Sequence, residues 1–192
     1  MINKEQLFSA AKTILADIET IIHYNSPGEF YLPEDSGGEL TYNLFGQDLI
    51  VEFDWEELDY DGQNIVLGDY YNNESTIKIV LRNANPVDFN TLSNVGEVIA
   101  HELTHWLQEM NGFSFPNLIK IDDDKYYLQP HEVEAQFYGF EFQSAYLNKS
   151  LEQVLELWLE KYEQYHNFKN TKKFKQKLLS SFEKFAQEEF HF

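Results

Sequence analysis

The 192-residue chain contains no cysteine. Disulfides, zinc–thiolate sites and thiol nucleophiles are therefore excluded, and any metal site must use histidine and carboxylate side chains. The first residues lack the basic and then apolar pattern of a secretion signal. No apolar run approaches the roughly 20 residues that a membrane-spanning helix needs. We therefore expect a soluble cytoplasmic protein.

Basic residues are scarce, with 14 Lys and Arg against 33 Asp and Glu, for a formal net charge of −19. Nucleic acids and anionic membranes are disfavoured as partners, because both require a basic face. The charge instead suits cationic peptides and metal ions. The 16 Phe and 12 Tyr argue for a packed core, and the length fits a single domain. No pattern predicts an oligomeric state.

The order of predicted elements indicates an α+β fold. A helical stripe of apolar residues comes first, and short alternating segments separated by turn residues follow. We predict a small antiparallel sheet, then an active-site helix, then a mostly helical carboxyl-terminal part, all in one domain over 1–192 (1–111 and 112–192). The predicted helices are 3–24, about 90–110, 130–147, 150–167 and 171–190, and the predicted strands are 39–44, 48–54, 64–71 and 75–81.

An HExxH motif stands at His101, Glu102 and His105. Residues four apart lie on one face of a helix, so both imidazoles can reach one metal ion. Glu102 is rotated by about 100° from His101, which places it beside the metal as a general base for a bound water. This arrangement is typical of metal-assisted hydrolysis.

Such a site needs a third protein ligand. One known solution places a histidine six residues after the second motif histidine, with a glycine between them. Here those positions hold Asn111 and Gln108, so that pattern is absent.

The predicted helix that begins at Pro130 offers a carboxylate in its first turn. Glu132 shares a face with Ala135 and Gly139, whose small size would let this helix approach the motif helix. Glu134 shares its face with Tyr138 and Glu141, which is more typical of a solvated stripe. Glu132 is therefore the favoured ligand, and Glu134, His131 and the triplet Asp122, Asp123, Asp124 remain alternatives. We interpret His131, His23, His166 and His191 as ordinary surface histidines.

The sequence His-Glu-Leu-Thr-His, followed by Glu132-x-x-Ala135, resembles the glutamate-zincin (gluzincin) metallopeptidases. It is similar to small bacterial and phage-encoded members, including those of the ImmA/IrrE type. The resemblance covers roughly residues 75 to 145. It implies a zincin-like fold, a zinc cofactor and Glu132 as the third ligand. Those families commonly have Asp or Asn after the alanine to orient a ligand histidine, whereas this chain has Gln136.

The expected function is thus zinc-dependent hydrolysis of a peptide or protein substrate, with Glu102 as general base. We expect the substrate to pair with an exposed sheet edge at Ser75 to Leu81. The candidate oxyanion donors are Tyr126, Tyr127, Tyr138 and His131. An alternative is an acidic non-enzymatic binding protein, either a nucleic-acid mimic or a regulatory module, with a structural or vestigial zinc site.

Overall fold

The computed structural model describes residues 2–25, 38–56, 65–72, 74–82, 89–115, 123–162 and 168–187. These ranges hold six helices and four strands, and the α+β prediction is confirmed. In chain order the elements are α1 (Lys4–Asn25), β1 (Gly38–Leu44), β2 (Gln47–Glu56), β3 (Ile65–Tyr71), β4 (Thr76–Arg82), α2 (Phe89–Met110), α3 (Asp123–Tyr126), α4 (Pro130–Leu147), α5 (Leu151–Tyr162) and α6 (Thr171–Gln187).

The four strands form one mixed sheet in the order β1-β2-β4-β3. β1 pairs with β2 and β3 pairs with β4 in antiparallel fashion, but β2 and β4 are parallel. The prediction of a purely antiparallel sheet is therefore wrong. The parallel pairing sets Val51 beside Ile77 and Phe53 beside Ile79. These apolar side chains are all buried, so the central position of the two strands removes the most apolar surface from water.

The strand predicted to bind the substrate is not at an edge. β4 lies between β2 and β3 and is hydrogen-bonded on both sides. It has no free backbone groups along its length to offer to another strand. The assignment of Ser75 to Leu81 as the exposed edge is therefore wrong, and the terminal strands of the sheet are β1 and β3.

Helix α2 carries the HExxH motif through the middle of the structure. It packs against α1, α4, β3 and β4. Most of its described side chains are buried, including Leu103, Trp106 and Leu107. The helix ends where the sequence predicts, because Gly112 has a φ of 84° and follows the last turn as a helix-terminating glycine.

Helices α2 and α4 approach each other closely at Gly139. A Cβ atom added there would lie 3.1 Å from the backbone oxygen of Glu97 and 3.4 Å from the Cβ of His101. The small side chain at this position therefore allows the contact that the sequence predicted. It also fixes how far Glu132, two turns earlier on α4, lies from the motif histidines.

The carboxyl-terminal helices cover the other side of α4 with aromatic contacts. The rings of Phe140 and Trp158 lie 5.9 Å apart, and those of Phe137 and Phe182 lie 5.7 Å apart. Both α5 and α6 are confirmed, although residues 163–167 and 188–190 of the predicted helices lie outside the described residues. The short α3 falls in a predicted loop. No helix of the described ranges has the length and apolar character to span a membrane.

Candidate metal centre

Three side chains converge at the contact between α2 and α4. The Nε2 atoms of His101 and His105 are 3.1 Å apart. Glu132 Oε2 lies 3.7 Å from His101 Nε2, and Glu132 Oε1 lies 3.5 Å from His105 Nε2. In a tetrahedral zinc site with bonds of 2.0–2.1 Å, ligand atoms lie roughly 3.3–3.4 Å from one another. The triangle formed by these three side chains therefore has the size of a zinc ligand set.

The Glu132 carboxylate lacks a full set of protein partners. The residue is 2% exposed, and its Oε2 accepts no hydrogen bond within the described part of the chain. A buried carboxylate oxygen without a partner costs free energy because it has lost its hydration. A bound cation would compensate for that loss, so the donor set fits a divalent metal.

The charges of the three groups also suit a cation. Burial and the neighbouring His105 lower the pKa of His101 to about 3, so its ring is neutral. Burial raises the pKa of Glu132, but His105 and His101 outweigh that effect and lower it to about 2. Burial lowers the pKa of His105, but hydrogen bonding to Glu132 and the charges of Glu102 and Glu132 raise it to about 9. A metal ion would occupy the position of the His105 proton.

Glu102 lies beside this triangle. One oxygen of its carboxylate and one ring nitrogen each of His101 and His105 lie within 4.8 Å of one another. Burial, the largest influence, raises the pKa of Glu102 to about 8. Glu132 is the better third ligand because its oxygens lie within 3.7 Å of both histidines, which leaves Glu102 free to exchange protons.

A cavity of about 520 Å³ opens onto these residues. Its wall includes part of β3, the ring of Phe115 and the first turn of α4. Beyond the motif and Glu132, the lining includes Gly68, Asp69, Tyr70, Phe115, Tyr126 and His131.

Two predictions about α4 are wrong. His131 is 6% exposed and packs against the rings of Phe113 and Phe115, so it is not a surface histidine. Glu134 is half-buried and accepts a hydrogen bond of 2.7 Å from Gln108 Nε2, so its face is not a solvated stripe. Neither residue displaces Glu132 from the triangle, although His131 Nε2 lies 3.5 Å from a Glu132 oxygen.

The candidate oxyanion donors separate into two groups. Tyr126 and His131 line the cavity, and the Tyr126 hydroxyl hydrogen-bonds the Glu132 carboxylate. Tyr127 packs against Trp158, and Tyr138 packs against rings on α4 and α6.

The remaining candidates do not join the site. Asp124 accepts a hydrogen bond from the backbone N–H of Lys169, and neither Asp123 nor Asp124 lines the cavity. Asp122, His166, His191 and the side chain of His23 lie outside the described residues.

Sequence reasoning missed two residues that touch the motif. Gln108 Oε1 lies 2.9 Å from His105 Nδ1. Its position three residues after His105 places it on the same helix face, so the spacing could have identified it. Gly68 on β3 lies against Glu102, since a Cβ there would be 2.7 Å from the carboxylate. That contact depends on the sheet order, and no sequence signal predicts it.

Comparison of the chain with protein-family models, curated proteins and solved structures finds no match. The function must therefore be inferred from the site itself. Two imidazole nitrogens and a carboxylate at zinc-ligand spacing, with a second carboxylate beside an open cavity, can bind a divalent metal and accept a proton from water.

Proposed function

We propose that the chain is a zinc-dependent metallopeptidase of zincin-like fold. The observation that carries the proposal is the triangle of side chains formed by His101, His105 and Glu132. The two Nε2 atoms are 3.1 Å apart, and the two carboxylate oxygens lie 3.5 Å from His105 and 3.7 Å from His101. This set of two nitrogens and one oxygen is typical of catalytic zinc in metallopeptidases.

The open cavity favours a catalytic over a structural zinc site. Structural zinc is normally closed by four protein ligands, whereas catalytic zinc keeps one position open. Here three ligands face a cavity of about 520 Å³, which has room for water and a peptide segment. This observation favours the enzyme over an acidic binding module with a structural or vestigial metal.

Glu102 is the proposed general base. Bound zinc would act as a Lewis acid, lowering the pKa of water and polarising a carbonyl group. The Glu102 carboxylate accepts a proton from water in the cavity and later donates it to the leaving amine. Without a metal, burial raises the pKa of Glu102 to about 8. A divalent cation bound at the neighbouring ligands would lower this pKa and favour the carboxylate form that accepts the proton.

Strand β3 is the proposed substrate-binding edge. It ends the sheet order and pairs only with β4 among the described strands. Gly68, Asp69 and Tyr70 on this strand line the cavity. An extended peptide that pairs with β3 on the side opposite β4 would lie beside the cavity that the motif residues line. Tyr126 and His131 lie in the same cavity and are the proposed donors to the oxyanion that forms during hydrolysis. Tyr126 would donate to it after its hydroxyl releases the Glu132 carboxylate, which a bound metal would neutralise.

The test combines metal analysis with Glu102→Gln. We expect close to one zinc ion per purified chain. The protein should cleave unstructured proteins, and metal chelators should abolish this cleavage. Glu102→Gln should retain zinc and the fold but lose cleavage, because an amide cannot accept the proton. The control Glu141→Gln removes the same charge from an ion pair with Lys4 and should leave cleavage unchanged. The proposal would be contradicted if the wild-type protein contained no zinc. It would also be contradicted if Glu102→Gln still cleaved the substrate.

A further inference from the structure

Gln108 connects His105, a proposed metal ligand, to the half-buried carboxylate of Glu134. Its Oε1 lies 2.9 Å from His105 Nδ1. Its Nε2 donates to the backbone oxygen of His131 at 3.0 Å and to Glu134 Oε2 at 2.7 Å. Gln108 itself is 4% exposed, and Glu134 is half-buried.

The two acceptors determine which way the amide points. A carbonyl oxygen and a carboxylate oxygen can only accept hydrogen bonds, so the NH₂ of Gln108 must face them. The amide oxygen must then face His105 Nδ1. Since that oxygen can only accept, Nδ1 must carry a proton. In the neutral ring Nε2 is then unprotonated and has the lone pair that a metal needs.

From this geometry we infer that Gln108 and Glu134 are positioning residues for the metal site. Gln108 holds the His105 ring in the orientation and tautomer that present Nε2 to zinc, and Glu134 holds Gln108. The charge of Glu134, transmitted through the polarised amide, increases the electron-donating strength of His105. The inference rests on the proposed function, because it assigns these residues a role at the same zinc site.

Gln136 does not supply this interaction to His105. It stands where the resembling families place an Asp or Asn, but its Oε1 accepts no hydrogen bond from the described residues. The Nδ1 of His105 is occupied by Gln108. The group that orients His105 therefore comes from the motif helix itself, three residues after this histidine.

The experiment measures Zn²⁺ affinity by competition with a chromophoric chelator, using the full chain. Gln108→Met keeps the side-chain length but removes the acceptor, and we expect zinc affinity to fall about 10- to 100-fold. Glu134→Gln keeps an acceptor for the Gln108 amide but loses the charge, and we expect a smaller, few-fold loss. Glu141→Gln is the matched control, because it removes one charge from the same helix and should not change the affinity.

A second readout separates orientation from general stability. In the zinc-bound wild type, the His105 Nδ1–H proton should give a slowly exchanging signal in ¹⁵N-edited NMR spectra, and Gln108→Met should lose it. If Gln108→Met binds zinc as tightly as wild type and keeps this signal, the inference is overturned and the proposed function stands. If Gln108→Met does not fold, Glu134→Gln decides, and affinity equal to that of Glu141→Gln overturns the inference. Wild-type protein that binds no zinc refutes the proposed function and the inference together.

Discussion

Gly68→Ala is the substitution that most directly tests how the sheet positions Glu102, the proposed general base. A Cβ atom at residue 68 would lie 2.7 Å from Oε1 and 2.9 Å from Cγ of Glu102, and 2.4 Å from Cγ1 of Val98. Ordinary contacts of this kind begin near 3.4 Å. The Glu102 carboxylate must therefore move by about 0.7 Å or more, away from β3, to relieve the overlap.

The size of that displacement sets the expected loss of activity. A misplacement of about 1 Å can cost on the order of 100-fold in rate. We therefore expect kcat to fall about 10- to 100-fold, which corresponds to about 1.4–2.7 kcal/mol of transition-state stabilisation. Zinc content should stay unchanged, because the three atoms nearest to a Cβ at residue 68 belong to Val98 and Glu102 and not to a proposed zinc ligand. Overpacking should also lower the free energy of unfolding by about 1–3 kcal/mol.

The assay is steady-state cleavage of a quenched fluorescent peptide, with zinc content and urea unfolding measured on the same samples. Leu67→Ala is the matched control, since it alters a 36% exposed neighbour on the same strand. The double variant Gly68→Ala/Val98→Ala removes the closest contact but leaves the contact with Glu102. It should regain stability without regaining kcat. A Gly68→Ala variant with wild-type kcat, or a double variant with restored kcat, would refute the positioning of Glu102 by Gly68.

Three further predictions address the ligand set, the oxyanion donor and a buried acid. Glu132→Ala should abolish stoichiometric zinc binding, whereas Glu134→Ala should retain a weaker zinc site. Elemental analysis of both variants after dialysis measures the zinc content. More zinc in Glu132→Ala than in Glu134→Ala would indicate Glu134 as the third ligand. Tyr126→Phe should lower kcat about 100-fold with zinc retained in the same analysis, and an unchanged kcat would remove Tyr126 as the oxyanion donor. Glu97→Gln should stabilise the protein increasingly as pH rises. Burial raises the pKa of Glu97 from 4.5 to about 8, so between these values the unfolded chain releases the proton while the folded chain keeps it. Wild-type stability therefore falls with rising pH, by at most about 1.4 kcal/mol per pH unit from this group, and the Gln variant lacks that contribution. Urea unfolding at pH 5 and pH 8 measures the difference, and a pH-independent difference would contradict the burial effect.

The helices were predictable because their signals are local. Pro130 marks the first turn of α4, and the Asn111-Gly112 pair marks the end of α2. The motif spacing alone brings His101 and His105 together, since four residues make about one turn. The position of Glu132 beside the motif histidines was also predictable, because the small residues of its helix face indicated a close approach between α4 and α2.

The sheet order was not predictable in the same way. Alternation of apolar and polar residues marks a strand with one buried face, but it is the same for a central and an edge strand. β4 directly precedes the motif helix, which suggested the edge nearest the site. Instead β3 folds back along its outer side, and β4 is covered on both sides. The proposed substrate edge and the contact of Gly68 with Glu102 both follow from that pairing.

The partial burial of Glu134 shows a limit of helix periodicity. The pattern of apolar and polar residues does not predict solvent exposure for a helix that is covered on more than one side. Treating α4 as a helix with one packed face assigns Glu134 and Tyr138 to solvent. However, α6 packs on that face, with the rings of Tyr138 and Phe185 5.7 Å apart. A half-buried carboxylate needs hydrogen-bond donors, and here the amide of Gln108 is one. The helices that follow the motif thus determine the surroundings of His105, because α4 supplies both groups to which the Gln108 amide donates.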